Sequence, residues 1–137
     1  YGPRMHKDDG RVVVEFITSA LKDKPIPIFG TGEQTRSFCF VSDLVEGIYR
    51  AMFLDNTNGE VYNLGNPDEI SMLNLAKTII KLTNSKSSFS HEALPGDDPK
   101  RRQPEITKAK IQLKWEPKVS LTYGLIKTID YFKHYPL

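Results

Sequence analysis

The chain has 137 residues, 39% of them hydrophobic and 26% charged, enough for one domain with a true core. No apolar run is long enough to cross a membrane, and no charged-then-apolar leader stands in these residues. A single cysteine, Cys39, excludes an internal disulfide and suggests a reducing compartment. The net charge of +2 is unevenly placed: residues 51–99 hold seven acidic and three basic side chains, residues 100–137 nine basic and three acidic.

In chain order, Tyr1 to Gly10 reads as a polar loop. Its Gly2-Pro3 turn normally follows another element, so the chain is expected to be part of a longer one. Arg11 to Lys22 predicts a helix, with Val12, Phe16, Ser19 and Ala20 on one face and Val13, Ile17 and Leu21 beside them. Asp23-Lys24-Pro25 stops it, and Ile26–Phe29 is a short strand. Gly30 and Gly32 punctuate a turn. After Arg36, the alternation of Phe38, Phe40 and Val41 predicts a strand over 38–41.

Ser42 is expected to cap a helix over 42–54, with Asp43 complementing its dipole, Leu44, Ile48, Ala51 and Met52 buried, and Gly47 permitting close packing. A strand is expected at 60–64, followed by the Gly65-Asn66-Pro67 turn. Ser71 caps a helix to about Leu82 whose broad apolar face predicts burial against several neighbours. Ser87–His91 is a short strand candidate. Leu94 to Pro104 reads as a polar stretch, Thr107 as the cap of a short helix to Leu113, and Ser120–Phe132 as the last helix.

The stretch from Phe29 to Arg36 places an aromatic ring at one end of a turn and a guanidinium at the other. A ring offers a face to a base, and a guanidinium a planar fork to phosphate oxygens. Read alone, the same residues also suit a β-turn with a core Phe and a surface Arg. Gly30-Thr31-Gly32 begins like a dinucleotide-binding loop, but the third Gly is absent and a strand follows instead of a helix. Tyr123 and Lys127 have the Tyr-x-x-x-Lys spacing of short-chain dehydrogenases, here within a terminal amphipathic helix, and read as surface residues. Lys100-Arg101-Arg102 suits a solvated run, a nucleic-acid patch or a phosphate clamp. The lack of interleaved aromatics disfavours nucleic acid, and Pro99 and Pro104 favour a clamp. His6 and His91 have no Cys or carboxylate at metal-ligand spacing, so no metal is expected.

Several stretches together carry a resemblance: Tyr1-Gly2-Pro3-Arg4-Met5-His6, Asp9-Gly10-Arg11-Val12-Val13, Gln34-Thr35-Arg36-Ser37-Phe38, Asp43-Leu44-Val45-Glu46-Gly47, Asn63-Leu64-Gly65-Asn66-Pro67 and Trp115-Glu116-Pro117. In this order the chain resembles the C-terminal part of the extended short-chain dehydrogenases that act on nucleotide sugars, and among them the UDP-glucuronate decarboxylases. The resemblance implies a small α/β lobe of helices and short strands over 1–137, a sugar-nucleotide-binding domain without a complete Rossmann sheet. It implies NAD as cofactor, C4 oxidation of UDP-glucuronate, loss of CO₂ from the resulting β-keto acid, and re-reduction to UDP-xylose. The family's NAD-binding domain, with its glycine-rich loop and catalytic Tyr and Lys, would precede Tyr1, so this chain alone is expected to be inactive.

Carried over by residue, the resemblance implies that Phe29 packs on the uracil, and that Gln34 shares its turn. Arg36 would hold the diphosphate, Val13 and Phe16 would line the nucleotide pocket, and His6 and Arg11 would lie near the cofactor. Arg102 would reach the diphosphate or the sugar carboxylate with a catalytic role, closing lid-like from its own proline-bracketed loop. Gln103 stands where relatives carry a charge. A homodimer formed through the other domain is implied, in the cytoplasm or, for a membrane-anchored form, in the Golgi lumen. Another nucleotide-sugar epimerase or dehydratase, or a non-catalytic sugar-nucleotide-binding module, remains an alternative reading.

Overall fold

The computed structural model describes all residues except 9, 95, 97, 98, 100, 136 and 137. Helix α1 spans Val12–Leu21 and strand β1 Ile26–Phe29; β2 is Thr35–Ser37 and α2 Val41–Phe53. Strand β3 (Glu69–Ser71) leads directly into α3 (Met72–Thr83), then β4 (Phe89–Glu92) and β5 (Arg101–Arg102). Helices α4 (Thr107–Gln112) and α5 (Leu121–His134) complete the chain. The strands form two small sheets: β1 and β4 in parallel, and a three-stranded sheet in the order β3-β2-β5. Among the described residues there is no doubly wound sheet, as expected for an α/β substrate lobe.

The main core forms where α1, α3 and α5 pack on one another and α1 and α3 pack on β1. Val14, Ile17, Ile26, Ile28, Leu75, Ala76, Ile79 and Leu125 are fully buried there. The helical spacing read from the sequence explains this, since residues three and four apart share a face. Ser71 and Ser120 cap α3 and α5 as expected, their hydroxyls accepting from the N–H groups of Asn74 at 3.2 Å and Tyr123 at 3.3 Å. Gly124, unusual inside a helix, lies where an added Cβ would overlap the Tyr1 ring and come within 2.8 Å of Phe40.

A second, smaller core gathers Ile106, Ala109, Leu113 and Trp115 with Cys39, Ala51, Tyr62 and Leu64. Asp43 joins it to α2. Its buried carboxylate accepts from the backbone N–H groups of Lys118 at 3.0 Å and Val119 at 2.8 Å, and its carbonyl accepts from the Trp115 indole at 2.8 Å. Gly47, one turn on, admits Trp115: a Cβ there would lie 2.9 Å from Trp115 Cε2 and 3.0 Å from Leu64 Cδ2. Burial pushes the Cys39 thiol up to about 11, so it packs as a neutral side chain.

Several expectations are corrected. The strand expected at 38–41 lies earlier, at Thr35–Ser37. Residues 38–40 belong to no described strand; beside them Tyr1 N donates to Cys39 O at 2.9 Å and Val41 N to Tyr1 O at 2.9 Å. The N-cap of α2 is Phe40, and Ser42 sits inside the helix. Thr107 is likewise inside α4, whose cap is Ile106; Glu105 accepts from the Thr107 N–H at 2.7 Å instead. Residues 60–64 form no strand, because no partner strand lies alongside among the described residues; Val61 is exposed.

The face of α2 expected to be buried is also open. Ile48 and Met52 are exposed, together with Val45, Tyr49 and Phe53 on the same helix. The side packed within the chain is that of Asp43 and Gly47. Among the described residues no helix is long and apolar enough to cross a membrane.

Candidate functional site

At the end of β1 the chain turns sharply. Gly30 (φ 59°) and Gly32 (φ 75°) take left-handed backbone conformations, and the Gly32 N–H donates to the Phe29 carbonyl at 3.2 Å. A Cβ on Gly32 would lie 2.7 Å from Ile28 Cγ2, so this glycine serves close packing within the chain. The turn is held from β4. The Gly30 N–H donates to the Glu92 carbonyl at 2.8 Å, and His91 Nδ1 lies 2.8 Å from the Gly30 oxygen, donating when that nitrogen carries the proton. This holding role for His91 has no signal in the sequence. Gln34 closes the same turn, its amide donating to the Phe29 carbonyl at 3.1 Å.

Phe29, the last residue of β1, is 39% exposed, so it is accessible from solvent. Beneath it lies a cavity of about 440 Å³. Phe16 and Met72 form apolar wall, Arg11, Val12 and Glu15 come from the start of α1, and Arg36 and Arg102 supply two guanidinium groups. Phe29 and Gln34 line it as well. The structure therefore brings together six residues singled out from the sequence: Arg11, Phe16, Phe29, Gln34, Arg36 and Arg102.

Two candidates stand elsewhere. Val13 is buried in the main core beside Val14 and Ile17, and its neighbour Val12 lines the cavity instead. One residue of rotation on a helix is about 100°, enough to exchange core for cavity. His6 lies in the exposed first loop, outside the lining, and its Nδ1 accepts from the Asp8 N–H at 3.2 Å.

The expected lid is a strand. Arg102 lies on β5, which pairs in parallel with β2 so that Arg36 is directly beside Arg102 and Thr35 beside Arg101. Side chains alternate across a sheet, so neighbours in register share a face. Arg36 and Arg102 both turn to the cavity, and Thr35 and Arg101 to the opposite face. Like charges side by side on adjacent strands repel. An anion with several oxygens lying between them could accept from both forks.

Arg101 takes no part in this cavity. Its guanidinium pairs with Glu69, Nε to Oε2 at 2.8 Å and Nη2 to Oε2 at 2.6 Å. The hydrogen bond from Arg101, reinforced by one from the Thr35 hydroxyl at 2.6 Å, holds the Glu69 carboxyl below its ordinary value. Tyr123 and Lys127 lie outside the cavity; the Tyr123 ring is exposed, with the Lys127 ammonium 5.5 Å from its centroid. A further depression of about 460 Å³, lined in part by Asn66, Asp68, Lys118 and Ser120, includes none of the candidate residues.

Residues 1–65 match the family model described as the NAD dependent epimerase/dehydratase family. UDP-glucuronic acid decarboxylase 2 of Arabidopsis thaliana is 48% identical over 133 residues, covering 97% of this chain and 29% of that protein. UDP-glucuronic acid decarboxylase 1 of Xenopus tropicalis is 49% identical over 133 residues, covering 97% and 31%. Among solved structures, UDP-glucuronic acid 4-epimerase from Bacillus cereus, in complex with UDP-glucuronic acid and NAD, matches with a TM-score of 0.89 and 34% identity, over 98% of this chain and 43% of that one. The chain thus spans about 30% of the length of these curated relatives.

Proposed function

We propose, from the match of residues 1–65 to the NAD dependent epimerase/dehydratase family and from the 48–49% identical relatives, that the chain is the sugar-nucleotide-binding part of a UDP-glucuronate decarboxylase, a lyase that forms UDP-xylose. The observation that carries this reading is the cavity that sets the half-open Phe29 ring, Arg36 and Arg102 around one space. A uracil would stack on Phe29. The diphosphate would lie between the two guanidinium groups, which offset its charge and set its direction. The sugar would then extend beyond Arg102, whose fork also suits a carboxylate.

NAD would supply the hydride acceptor and donor for C4. Among the described residues, Arg11 at the cavity would stand nearest to it, whereas the Gly30–Gly32 turn is packed against Ile28 and Leu73 and leads into a strand. We therefore assign the cofactor's main site to a separate NAD-binding domain of the full-length protein and expect no turnover from residues 1–137 alone. The open apolar face of α2 supports a neighbour of that kind, since a face this apolar is rarely left to water. The same reading gives a homodimer formed through that domain, in the cytoplasm or, for a membrane-anchored form, the Golgi lumen.

The test is binding and turnover in the full-length protein. Arg36→Ala removes a charge-assisted bond worth on the order of 1.5–3 kcal/mol, so the UDP dissociation constant should rise about ten- to a hundredfold. Phe29→Ala should cost roughly 1–3 kcal/mol if the base stacks there. Lys127→Ala should leave turnover unchanged. Unaltered UDP binding by Arg36→Ala together with lost turnover in Lys127→Ala would move the site to α5. Product analysis with UDP-glucuronate distinguishes a decarboxylase from an epimerase.

A further inference from the structure

The three-stranded sheet carries a network on the face away from the cavity. Glu69 on β3 accepts from Thr35 on β2 through Oε1 and from Arg101 on β5 through Oε2, so one carboxylate ties all three strands. Arg101 Nη2 also donates to Gln103 Oε1 at 2.7 Å, and the Gln103 amide donates to the Pro67 carbonyl at 2.8 Å. None of Glu69, Arg101 and Gln103 lines the cavity that holds Arg36 and Arg102. Strand β5 is two residues long, and its second residue, Arg102, sits beside the like charge of Arg36. So short a strand has few backbone bonds to hold it against β2.

We infer that Glu69, Arg101 and Gln103 form a positioning clamp that holds β5 against β2 and so keeps the Arg102 guanidinium beside Arg36, setting the affinity for a diphosphate. The inference rests on the reading of the cavity as a nucleotide site. The clamp works through geometry. An isolated exposed ion pair contributes little, but a carboxylate shared by a guanidinium and a hydroxyl from two other strands restrains all three. It also gives Gln103 a purpose. A neutral amide can accept from Arg101 and donate to Pro67 at once, which a Lys or Arg at this place, having donors only, cannot do.

The experiment measures UDP and uridine binding by calorimetry in the full-length protein, for Arg102→Ala, Glu69→Gln, Gln103→Leu and the Arg102→Ala/Glu69→Gln double variant. Arg102→Ala should weaken UDP roughly tenfold or more and leave uridine unchanged. Glu69→Gln and Gln103→Leu should each weaken UDP at least about twofold, again sparing uridine, and Glu69→Gln should add no further loss in the Arg102→Ala background. If Glu69→Gln fails to fold by circular dichroism, Gln103→Leu, at an exposed position, carries the test. Parent-like UDP binding by the clamp variants, equal losses for UDP and uridine, or an undiminished second loss in the double variant would each overturn the clamp while leaving the site intact. Parent-like UDP binding by Arg102→Ala would instead overturn the nucleotide reading, and the clamp with it.

Discussion

Replacing Asp43 tests how the second core is attached. In Asp43→Ala the backbone N–H groups of Lys118 and Val119 lose a charged acceptor at 3.0 and 2.8 Å. Each such bond is worth on the order of 1.5–3 kcal/mol. Lys118 is exposed and Val119 half-buried, so water recovers part of the loss, and about 2–4 kcal/mol should remain. Asp43→Asn is the informative control. One carboxylate oxygen, Oδ2, accepts both bonds, so an amide oxygen can stand in its place, and the loss should fall to about 1 kcal/mol, the charge assistance alone. The Trp115 indole bonds to the Asp43 backbone and is untouched by either change. Urea unfolding of the full-length protein, followed by Trp115 fluorescence, gives both values. If Ala and Asn variants lie within about 0.5 kcal/mol of the parent, the carboxylate does not pin this segment.

Gly47→Ala should lose on the order of 1 kcal/mol in the same assay: overpacking against the held Trp115 costs about 1–3 kcal/mol and helix propensity returns about 1. A gain in stability would show that Trp115 yields. Because the Glu69 carboxyl is held below its ordinary value in the folded state, its stabilisation is present above the unfolded value, about pH 4.3, and is lost as pH falls through the folded one. Glu69→Gln should therefore be less stable than the parent at neutral pH, with the gap closing in acid; a gap independent of pH contradicts this. Residues 1–137 alone should associate through α2, where Val45, Met52 and Phe53 are 58%, 67% and 66% exposed. Light scattering should show association falling in a Met52→Glu/Phe53→Lys variant, and a monomeric parent at high concentration refutes the claim.

What was legible in the residues alone is what depends on near neighbours along the chain. The spacing of apolar residues places α1, α3 and α5 within two residues of their observed ends, and Ser71 and Ser120 cap because a cap needs only the next turn. The ring-turn-guanidinium order from Phe29 to Arg36 survives into the cavity for the same reason. Tertiary structure alone decided the rest. A strand exists only with a partner, so the strand expected at 60–64 did not form, and β5, too short for any period, was invisible until β2 lay beside it. Periodicity marks which face of α2 is apolar but not what covers it. Asp43 reads locally as a helix-dipole partner, yet its bonds reach residues 75 and 76 positions away. Arg36 and Arg102 lie 66 positions apart in sequence and side by side in the sheet. Only the fold could bring two separate arginines to one cavity, because their proximity is set by strand pairing rather than by chain distance.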